Sequence, residues 1–553
     1  MLVLILYIVG FWIVLPAGLI VTSVILDQSI PYVFTDSRLI YSAGITIILL
    51  AAFLLIMAII QFRQLGKTLP LSATPPKVLI NRGLFALWRH PIYLFYTLLL
   101  VGVSLTIRSA GMLIIVLPLF ICGQYIYIRI EEHFLFKRLG PTYAYYKRTT
   151  SLIFPKLSHL LKIPLWITFK LLFKFQITDI KNIPRQSPFF LMATHRNYFD
   201  PFFIGIPLDL PVNFVTTYEM YRKPLSRWLF RTLFCIPKKR YLNDSQAVRA
   251  IINVLNGGGI IGIFPEGERS WNGKTAPYKP EVLKLLKKFS HIPVLPVRID
   301  GNYHAWPRWG TFPRRSKVSV TYQKPYFVSS EDSLKQIEKK LKSLVQPDDH
   351  DRVCLSNKIA WNLTHVIYRC PACRTFVQLE IINDTQLHCI ICRKFYTILD
   401  NYNIRFTPDR LEITQTIEDI YENIRIKEED VTKGREYNTR FKNIALMTQE
   451  QQLHYAQSAT LYLEKNMKMH KTLDGTCMLT DQFIRFAGNN ETFPINLSYI
   501  RSVTLEGSNK LQLYDGRKNT LYQIIFAEDS ALKWQDFIDM TLKVVYHLSP
   551  NRQ

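Results

Sequence analysis

The chain has 553 residues, enough for three or four domains, and 48% of them are hydrophobic. Its 68 lysine and arginine residues against 42 acidic residues give a formal net charge of +26. Such an excess fits an anionic partner, either nucleic acid or an anionic membrane surface. Long uncharged apolar runs within residues 1–130 favour the membrane, so no nucleic-acid partner is expected. Eight cysteines are too few for a disulfide scaffold.

Four apolar segments predict membrane-spanning helices. The runs 2–26 and 39–60 are long enough to cross ~30 Å of hydrocarbon, and the shorter runs 92–107 and 112–128 predict a helical hairpin. A cleaved signal peptide is the alternative for the first run, but the basic n-region and the small-residue cleavage site are missing. Basic residues are concentrated in the loop 62–91 and after the last run, so the positive-inside rule predicts a multi-pass membrane protein with cytoplasmic soluble domains.

Short motifs surround the predicted hairpin. They are G-L-F at 83–85, R-H-P-I-Y at 89–93, the acids at 131–132, and G-P-T-Y-A-Y-Y at 140–146. This series resembles the isoprenylcysteine and phospholipid methyltransferase family, which holds S-adenosylmethionine between the R-H-P segment and the paired acids. The resemblance implies a methyltransferase-like membrane domain over residues 1–155. The cofactor-binding residues that it implies are Arg89, His90, Tyr93, Glu131 and Glu132.

Two interpretations of this domain stay open. Arginine can bind a carboxylate with two parallel hydrogen bonds, and acids beside a membrane span are costly unless they function, which favours a cofactor site. Alternatively, Arg89 and His90 are interfacial anchors and the paired acids form a solvated cap. Phe95 or one of its neighbours replaces the glycine that commonly follows R-H-P-x-Y in the family, so the domain could serve as an anchor only.

From residue 163 to residue 345, short apolar runs alternate with helical patterns, which predicts an α/β domain. Strands are expected at 189–193, 260–264, 292–299 and 318–322. Helices are expected at 245–255 and 280–289.

Polar motifs follow two of these strands. His195 and Asp200 come directly after the first, and Asp200 can reach back to the imidazole if it begins the next helix. A histidine oriented by a carboxylate is what a general base for a hydroxyl requires. The motif F-P-E-G-E-R-S at 264–270 follows the second strand, where Gly267 permits a tight turn and Arg269 offers a fork of donors to a phosphate.

These motifs, with P-K-K-R at 237–240 and I-P-V at 292–294, resemble the glycerolipid acyltransferase family in order and spacing. The resemblance implies transfer of a fatty acyl group from acyl-CoA or acyl carrier protein to a glycerol-phosphate or lysophospholipid hydroxyl. It implies His195 as the base and Asp200 as its orienting residue. The acceptor-binding residues that it implies are Arg240, Glu266, Gly267, Arg269 and Ser270. The chain departs from the family pattern at Glu268, where threonine is usual, and at Thr217, where a basic residue is common.

Two C-x-x-C pairs, Cys370 with Cys373 and Cys389 with Cys392, are separated by fifteen residues. A β-hairpin is expected between them, at 376–382 and 386–387. Four thiolates at this spacing predict tetrahedral Zn²⁺ in a zinc ribbon over residues 360–400, and hence a reducing compartment. A redox dithiol is the alternative, but the presence of two pairs favours metal. A site closed by four thiolates has no open position, so the zinc is expected to be structural.

A charged, partly helical connector is expected over residues 401–470, and a small mostly-β domain over residues 471–553. Its strands are predicted at 478–486, 500–505, 510–514 and 521–526, followed by an amphipathic helix at 530–545. Strands closed by one C-terminal helix resemble a pleckstrin-homology or GRAM-like domain, which would hold the chain against lipid headgroups or a partner.

The predicted fold is therefore multidomain: an α-helical membrane domain, an α/β acyltransferase domain, a zinc ribbon and a mostly-β domain ending in a helix. The first hypothesis is a membrane-bound O-acyltransferase of phospholipid synthesis or remodelling, with membrane lipids as partners. The alternatives are an S-adenosylmethionine-dependent methyltransferase and a non-catalytic membrane scaffold. The intact set of His195, Asp200, Glu266 and Arg269 favours acyl transfer over the scaffold, and the departure at Phe95 favours it over methyl transfer.

Overall fold

The computed structural model divides the chain into two compact units. The first contains Met1–Leu161 with Leu208–Pro211 and Asn253–Gly259, and the second contains Lys162–Pro207, Val212–Ile252 and Ile260–Gln553. The residues that the structure describes are 9–30, 37–67, 79–239, 244–349, 351–356, 358–376, 379–408, 411–432, 452–465, 468–488 and 491–548.

The first unit is helical. Its α-helices are Leu15–Asp27, Arg38–Gly66, Leu84–Leu87, Pro91–Thr106, Leu117–Leu139, Pro141–Thr149 and Leu157–Leu160, and π-helical turns at Gly10–Val14 and Met112–Val116 precede two of them. Within the described residues, three helices are long and apolar enough to cross a membrane: Gly10–Asp27, Arg38–Gly66 and Met112–Leu139. The predicted span at 92–107 forms a 16-residue helix, Pro91–Thr106, about 24 Å long at 1.5 Å per residue, which is shorter than the ~30 Å hydrocarbon core.

Glycines allow two of these helices to pack closely. A Cβ atom at Gly44 of helix Arg38–Gly66 would lie 2.9 Å from the backbone nitrogen of Thr106, and one at Gly102 would lie 2.9 Å from that of Ile48. Any larger residue would force the two backbones apart. Small residues at such crossings are the usual means of close packing between membrane helices.

The second unit begins with a seven-stranded sheet in the order β1-β7-β6-β2-β5-β3-β4. All neighbours are parallel except β6 and β7, which are antiparallel. The strands are β1 Gln176–Thr178, β2 Phe189–Met192, β3 Val212–Thr217, β4 Ile236–Lys238, β5 Ile260–Ile263, β6 Val294–Asp300 and β7 Ser319–Tyr322. The accompanying α-helices are Lys162–Phe173, Asp200–Gly205, Pro224–Thr232, Ser245–Asn256, Pro280–Lys288, Asn302–Ala305 and Leu334–Val345.

This arrangement confirms the predicted α/β fold, with strand and helix ends displaced by at most two residues. Strands β2 and β5 are buried along their whole length, as continuous apolar runs in a parallel sheet should be. Because β2, β3, β5 and β6 run in one direction, the segments that follow them leave from the same edge of the sheet. That edge carries the predicted polar motifs.

A five-stranded antiparallel sheet follows, in the order β12-β11-β10-β9-β8. Its strands are β8 Glu380–Asn383, β9 Gln386–His388, β10 Phe395–Ile398, β11 Ile404–Phe406 and β12 Ile413–Gln415, followed by helices Ile417–Ile424 and Glu428–Thr432. The first strand of the predicted hairpin starts only at Glu380, and residues 377–378 lie outside the described residues. The connector expected at 401–470 is thus strand at its start and helical only from Ile417.

The last sheet has seven antiparallel strands in the order β16-β15-β14-β13-β19-β18-β17. The strands are β13 Gln452–Lys465, β14 Lys468–Thr480, β15 Phe483–Gly488, β16 Glu491–Asn496, β17 Ile500–Glu506, β18 Lys510–Asp515 and β19 Thr520–Phe526, and helix Ala531–Val545 ends the unit. The sheet starts at Gln452, before the predicted boundary at residue 471.

The single strand predicted at 478–486 is wrong, because the chain turns between Thr480 and Phe483. The Oγ atom of Thr480 accepts hydrogen bonds from the backbone nitrogens of Gln482 at 3.2 Å and Phe483 at 2.8 Å. A hydroxyl that bonds the backbone two and three residues ahead stabilises a turn in place of a continued strand. The C-terminal helix is found as expected, and the pleckstrin-homology or GRAM-like resemblance stays a prediction.

Candidate active site

His195 follows the carboxyl end of β2, and Asp200 begins the next helix. The Nδ1 atom of His195 lies 3.0 Å from Oδ2 of Asp200, and the imidazole stacks on the ring of Phe264 with centroids 4.3 Å apart. Burial lowers the pKa of His195 below its usual 6.5, and the hydrogen bond with Asp200 opposes this only in part. An ionised carboxylate can only accept, so Nδ1 carries the proton and Nε2 keeps its lone pair at neutral pH.

Asp200 is fully buried and is bonded on both oxygens. Oδ2 also accepts from the backbone nitrogens of Arg196 at 2.7 Å and Asn197 at 2.8 Å, and Oδ1 accepts from Nδ2 of Asn302 at 2.8 Å. Asn197 in turn donates to the carbonyl oxygen of Asn302 at 2.7 Å. Asn302 is not among the residues predicted from the sequence, although its position just beyond the end of β6 was a usable signal.

The segment 264–270 follows β5 and closes on the histidine. The backbone nitrogen of Ser270 donates to the carbonyl oxygen of His195 at 2.9 Å, and the Ser270 hydroxyl contacts Oδ1 of Asn272 at 3.3 Å. Gly267 has a φ of +76°, a conformation that residues with a Cβ atom rarely adopt, so the tight turn requires glycine there. These bonds place the predicted acceptor-binding segment against the His195 motif.

Glu266, which is buried, and Arg269, which is half-buried, supply two polar groups beside the histidine motif. Burial raises the pKa of Glu266 to about 8, so its carboxyl group is mostly protonated and neutral at pH 7. Burial lowers the pKa of Arg269 to about 10, so it stays charged, and its guanidinium lies 3.3 Å from the ring centroid of Tyr198. Among the described residues, Nη1 of Arg269 is buried without a hydrogen-bond partner. A buried cationic donor without a partner is suited to an anionic ligand.

Glu268 has a partner that the sequence analysis did not foresee. Its carboxylate forms an ion pair with Arg308 at 3.0 Å, and the same Nη1 atom of Arg308 donates to the carbonyl oxygen of Arg269 at 2.9 Å. The other end of this guanidinium donates to the carbonyl oxygen of Leu505 in the last sheet at 2.9 Å. The extra acid is therefore balanced by a buried cation, and Arg308 joins the segment 264–270 to the C-terminal β domain.

Two further predictions concern Thr217, where the family commonly has a basic residue, and Arg240, which was expected to bind the acceptor. Thr217 ends β3, and Arg222, five residues later, forms ion pairs with Glu464 at 3.0 Å and Glu506 at 3.7 Å. The nearby cation thus binds the C-terminal β domain. Arg240, expected to contact the acceptor, lies outside the described residues.

The four ribbon cysteines converge on one point. Their sulfur atoms all lie within 4.8 Å of one another, with 3.7 Å between Cys370 and Cys392 and 3.8 Å between Cys373 and Cys389. Four thiolates around Zn²⁺ at ~2.3 Å are about 3.8 Å apart in a tetrahedron, so the donor set fits this ion. The cluster could hold a metal ion with no ligand position left open.

The predicted cofactor residues of the first unit also converge. Nε of Arg89 lies 3.1 Å from Oε1 of Glu132, and Nζ of Lys147 lies 2.7 Å from Oε2. The hydroxyl of Tyr93 donates to Glu131 at 3.0 Å. His90 lies 3.7 Å from each of the two acids.

An open cavity of about 600 Å³ in the same unit is lined by Glu132, Lys147, Tyr143 and Arg129, among others. Its size is that of a small-molecule site, and the cluster offers cations for a carboxylate and carboxylates for hydroxyl groups. Of the five predicted cofactor residues, only Glu132 lines this cavity. The cluster of predicted residues fits S-adenosylmethionine in donor and acceptor type.

Comparisons with known proteins match two parts of the chain to families. Residues 174–300 match the family model described as Acyltransferase, and residues 39–142 match that described as Phospholipid methyltransferase. The chain thus contains one domain of each kind, and both resemblances inferred from the motifs are confirmed.

Curated relatives are each similar to a part of the chain. A chloroplastic 1-acyl-sn-glycerol-3-phosphate acyltransferase of Brassica napus is 23% identical over 176 residues, 31% of this chain and 51% of the relative. A 1-acyl-sn-glycerol-3-phosphate acyltransferase of Borreliella burgdorferi is 28% identical over 141 residues, 25% of this chain and 55% of the relative. The chain thus spans about half the length of the curated relatives it matches.

Among solved structures, the 1-acyl-sn-glycerophosphate acyltransferase of Thermotoga maritima is similar over 41% of this chain and 90% of its own. The sequence identity is 24% and the TM-score is 0.30.

Proposed function

We propose that the chain is a membrane-bound O-acyltransferase that moves a fatty acyl group from acyl-CoA or acyl carrier protein to the hydroxyl of a glycerol-phosphate or lysophospholipid acceptor. The observation that carries this proposal is the neutral, Asp200-oriented imidazole of His195 beside Arg269, whose Nη1 atom has no hydrogen-bond partner among the described residues. The Acyltransferase match and the curated relatives support it. Transfer serves phospholipid synthesis or remodelling at the cytoplasmic face of the membrane.

In this mechanism, Nε2 of His195 removes the proton of the acceptor hydroxyl as its oxygen attacks the thioester carbonyl carbon. The carbon–sulfur bond breaks, and the imidazolium returns its proton to the leaving thiolate, so the products are an ester and a free thiol. Asp200 stabilises the transient imidazolium. Arg269 binds the acceptor phosphate with Arg240 as a second contact, and a neutral Glu266 avoids repelling it.

Replacing His195 by alanine is expected to lower kcat by a factor of roughly 10²–10⁴, because general-base help is worth about that much. Asp200→Asn should cost less, since the imidazole stays in place. Arg269→Ala should mainly raise the acceptor KM, because phosphate binding is present in both ground and transition states. The measurement is thioester consumption by the purified full-length chain with lysophosphatidic acid as acceptor.

His470→Ala is the matched control, because this histidine is exposed in β14 of the C-terminal sheet and should leave the rate unchanged. Wild-type turnover in His195→Ala would contradict the role of His195 as the base. A wild-type preference for acceptors without a phosphate would contradict the role of Arg269.

The acceptor KM should rise as the pH passes about 8, where the Glu266 carboxyl, with its raised pKa, loses its proton and becomes a buried negative charge near the acceptor phosphate. Below that pH the group is neutral and KM should be flat. At low pH, kcat/KM should fall because His195 becomes protonated. Since the pKa of His195 is lowered, this fall should occur below pH 6.5. In Glu266→Gln, which is neutral at every pH, the alkaline rise should disappear. The same rise in both proteins would assign it to ionisation of the acceptor itself.

We propose that Cys370, Cys373, Cys389 and Cys392 bind one structural Zn²⁺. The expected metal content of the reduced full-length chain is one zinc per chain by elemental analysis, and it should fall in Cys373→Ser but not in Cys235→Ser. Cys235 is a suitable control because it lies outside the cluster. A chain that stays folded and zinc-free under reducing conditions would exclude the metal site.

The domain division proposed here is a methyltransferase-like membrane domain over residues 1–155, an acyltransferase domain over 163–345, a ribbon over 360–400 and a C-terminal β domain that starts at Gln452. We place the last three in the cytoplasm because basic residues follow the last predicted span. The three apolar helices of the first unit support membrane association.

Methyl transfer to a membrane lipid is the second candidate function, favoured by the Phospholipid methyltransferase match and by the cluster of Arg89 and Glu132 beside the cavity. S-Adenosylmethionine would supply the methyl group when bound. Calorimetry on the detergent-solubilised chain is expected to detect its binding, with a weaker signal in Glu132→Gln. If wild type gives no binding signal, the domain is an anchor only.

A further inference from the structure

The helix Pro224–Thr232 turns large apolar side chains to the outside. Among the described residues, none of this helix is buried, and Leu225 and Trp228 are 77% and 57% exposed. Because they are three residues apart, these two side chains lie on the same face of the helix. Neighbouring large apolar residues that remain exposed on a polar helix mark a surface that contacts something apolar.

Cationic residues accompany this apolar face. Lys223, Arg227 and Arg231 are exposed. Arg231 is three residues beyond Trp228 and therefore borders the apolar face, whereas Arg227 lies on another side of the helix, where its Nε atom donates to the carbonyl oxygen of Tyr221 at 2.8 Å, and Lys223 precedes the helix. A helix that carries tryptophan and leucine on one face and lysine and arginine beside them is typical of the interface of an anionic bilayer. The indole of tryptophan favours the headgroup level, and the cations attract acidic lipids.

The place of the helix in the fold relates it to the candidate active site. It follows β3 through the short helix Tyr218–Tyr221, and β3 pairs in parallel with β5, which pairs in parallel with β2. The segments after β2, β3 and β5 therefore leave from one edge of the sheet, so the helix shares that edge with the His195 motif and the segment 264–270. Arg222, just before the helix, is fixed by its ion pairs with Glu464 and Glu506.

We propose that the face formed by Leu225, Trp228 and Arg231 docks on the anionic headgroup region of a lipid bilayer. The chemistry of the face selects this occupant, because Arg231 borders the two apolar side chains, Lys223 and Arg227 add positive charge to the same short segment, and no residue of the helix is acidic. Docking of this face brings the edge of the sheet that carries His195 and the segment 264–270 to the membrane. A lipid acceptor can then reach Arg269 without crossing water. The docking itself requires no acyl transfer, and only its benefit for the acceptor rests on the proposed function.

The direct test is photo-crosslinking of the full-length chain in nanodiscs that contain an alkyne-tagged phospholipid. A benzoylphenylalanine is introduced at Leu225 in one variant and at Leu411 in the other, because both leucines are 77% exposed and only the first lies on the proposed face. Discs of phosphatidylcholine are compared with discs that also contain phosphatidylglycerol. The Leu225 variant is expected to crosslink lipid several-fold more than the Leu411 variant, and more with phosphatidylglycerol than without it. Equal lipid labelling, or crosslinks from position 225 mainly to a second copy or another protein, would overturn the proposal.

A second arm separates docking from chemistry. The double variant Leu225→Glu with Trp228→Glu should lose most activity toward a long-chain acceptor embedded in the bilayer, while activity toward a water-soluble short-chain acceptor stays at the wild-type level. An equal loss on both acceptors would contradict a docking role. If the wild-type chain transfers no acyl group to either acceptor, the proposed function fails, and the crosslinking result still decides the docking proposal.

Discussion

The geometry of the candidate active site depends on one buried carboxylate. Asp200 is completely removed from solvent, and a buried carboxylate is tolerated only when donors compensate the loss of water. Its donors come from the segment after β2, through His195, Arg196 and Asn197, and from the segment after β6, through Asn302. The interaction that orients the imidazole is therefore also the one that holds two chain segments together, so local folding and site geometry cannot vary independently.

The two acids near Asp200, Glu266 and Glu268, do not neutralise the positive charge of Arg269. Glu268 is neutralised by Arg308, and burial keeps Glu266 protonated near neutral pH by raising its pKa to about 8. Neither acid then cancels the charge of Arg269, which stacks on Tyr198. The acid Glu268 inside the segment 264–270 is thus compatible with the proposed binding of an anion there, because a buried cation from elsewhere in the fold pairs with it.

Local signals in the sequence predicted much of this arrangement. Apolar runs located β2, β5, β6 and β7 because continuous burial in a sheet imposes a continuous apolar sequence, and the pairing of His195 with Asp200 spans only five residues. Long-range partners carried no such signal: Arg308 lies in an irregular segment, and its ties to Glu268 and Leu505 exist only after folding. The strand predicted across Thr480 failed because alternating polarity continues through the turn, and only the hydroxyl geometry reveals where the chain reverses.

Arg308 also bears on how such a chain can evolve. Its guanidinium bonds the segment that carries Arg269 on one side and a backbone carbonyl of β17 on the other. Recombination that replaced the C-terminal β domain alone would leave buried donors without acceptors, a cost that selection acts against. The acyltransferase and C-terminal β domains should therefore be inherited together, and a successful exchange would have to carry Arg308, Glu268 and the β17 hairpin as one heritable block.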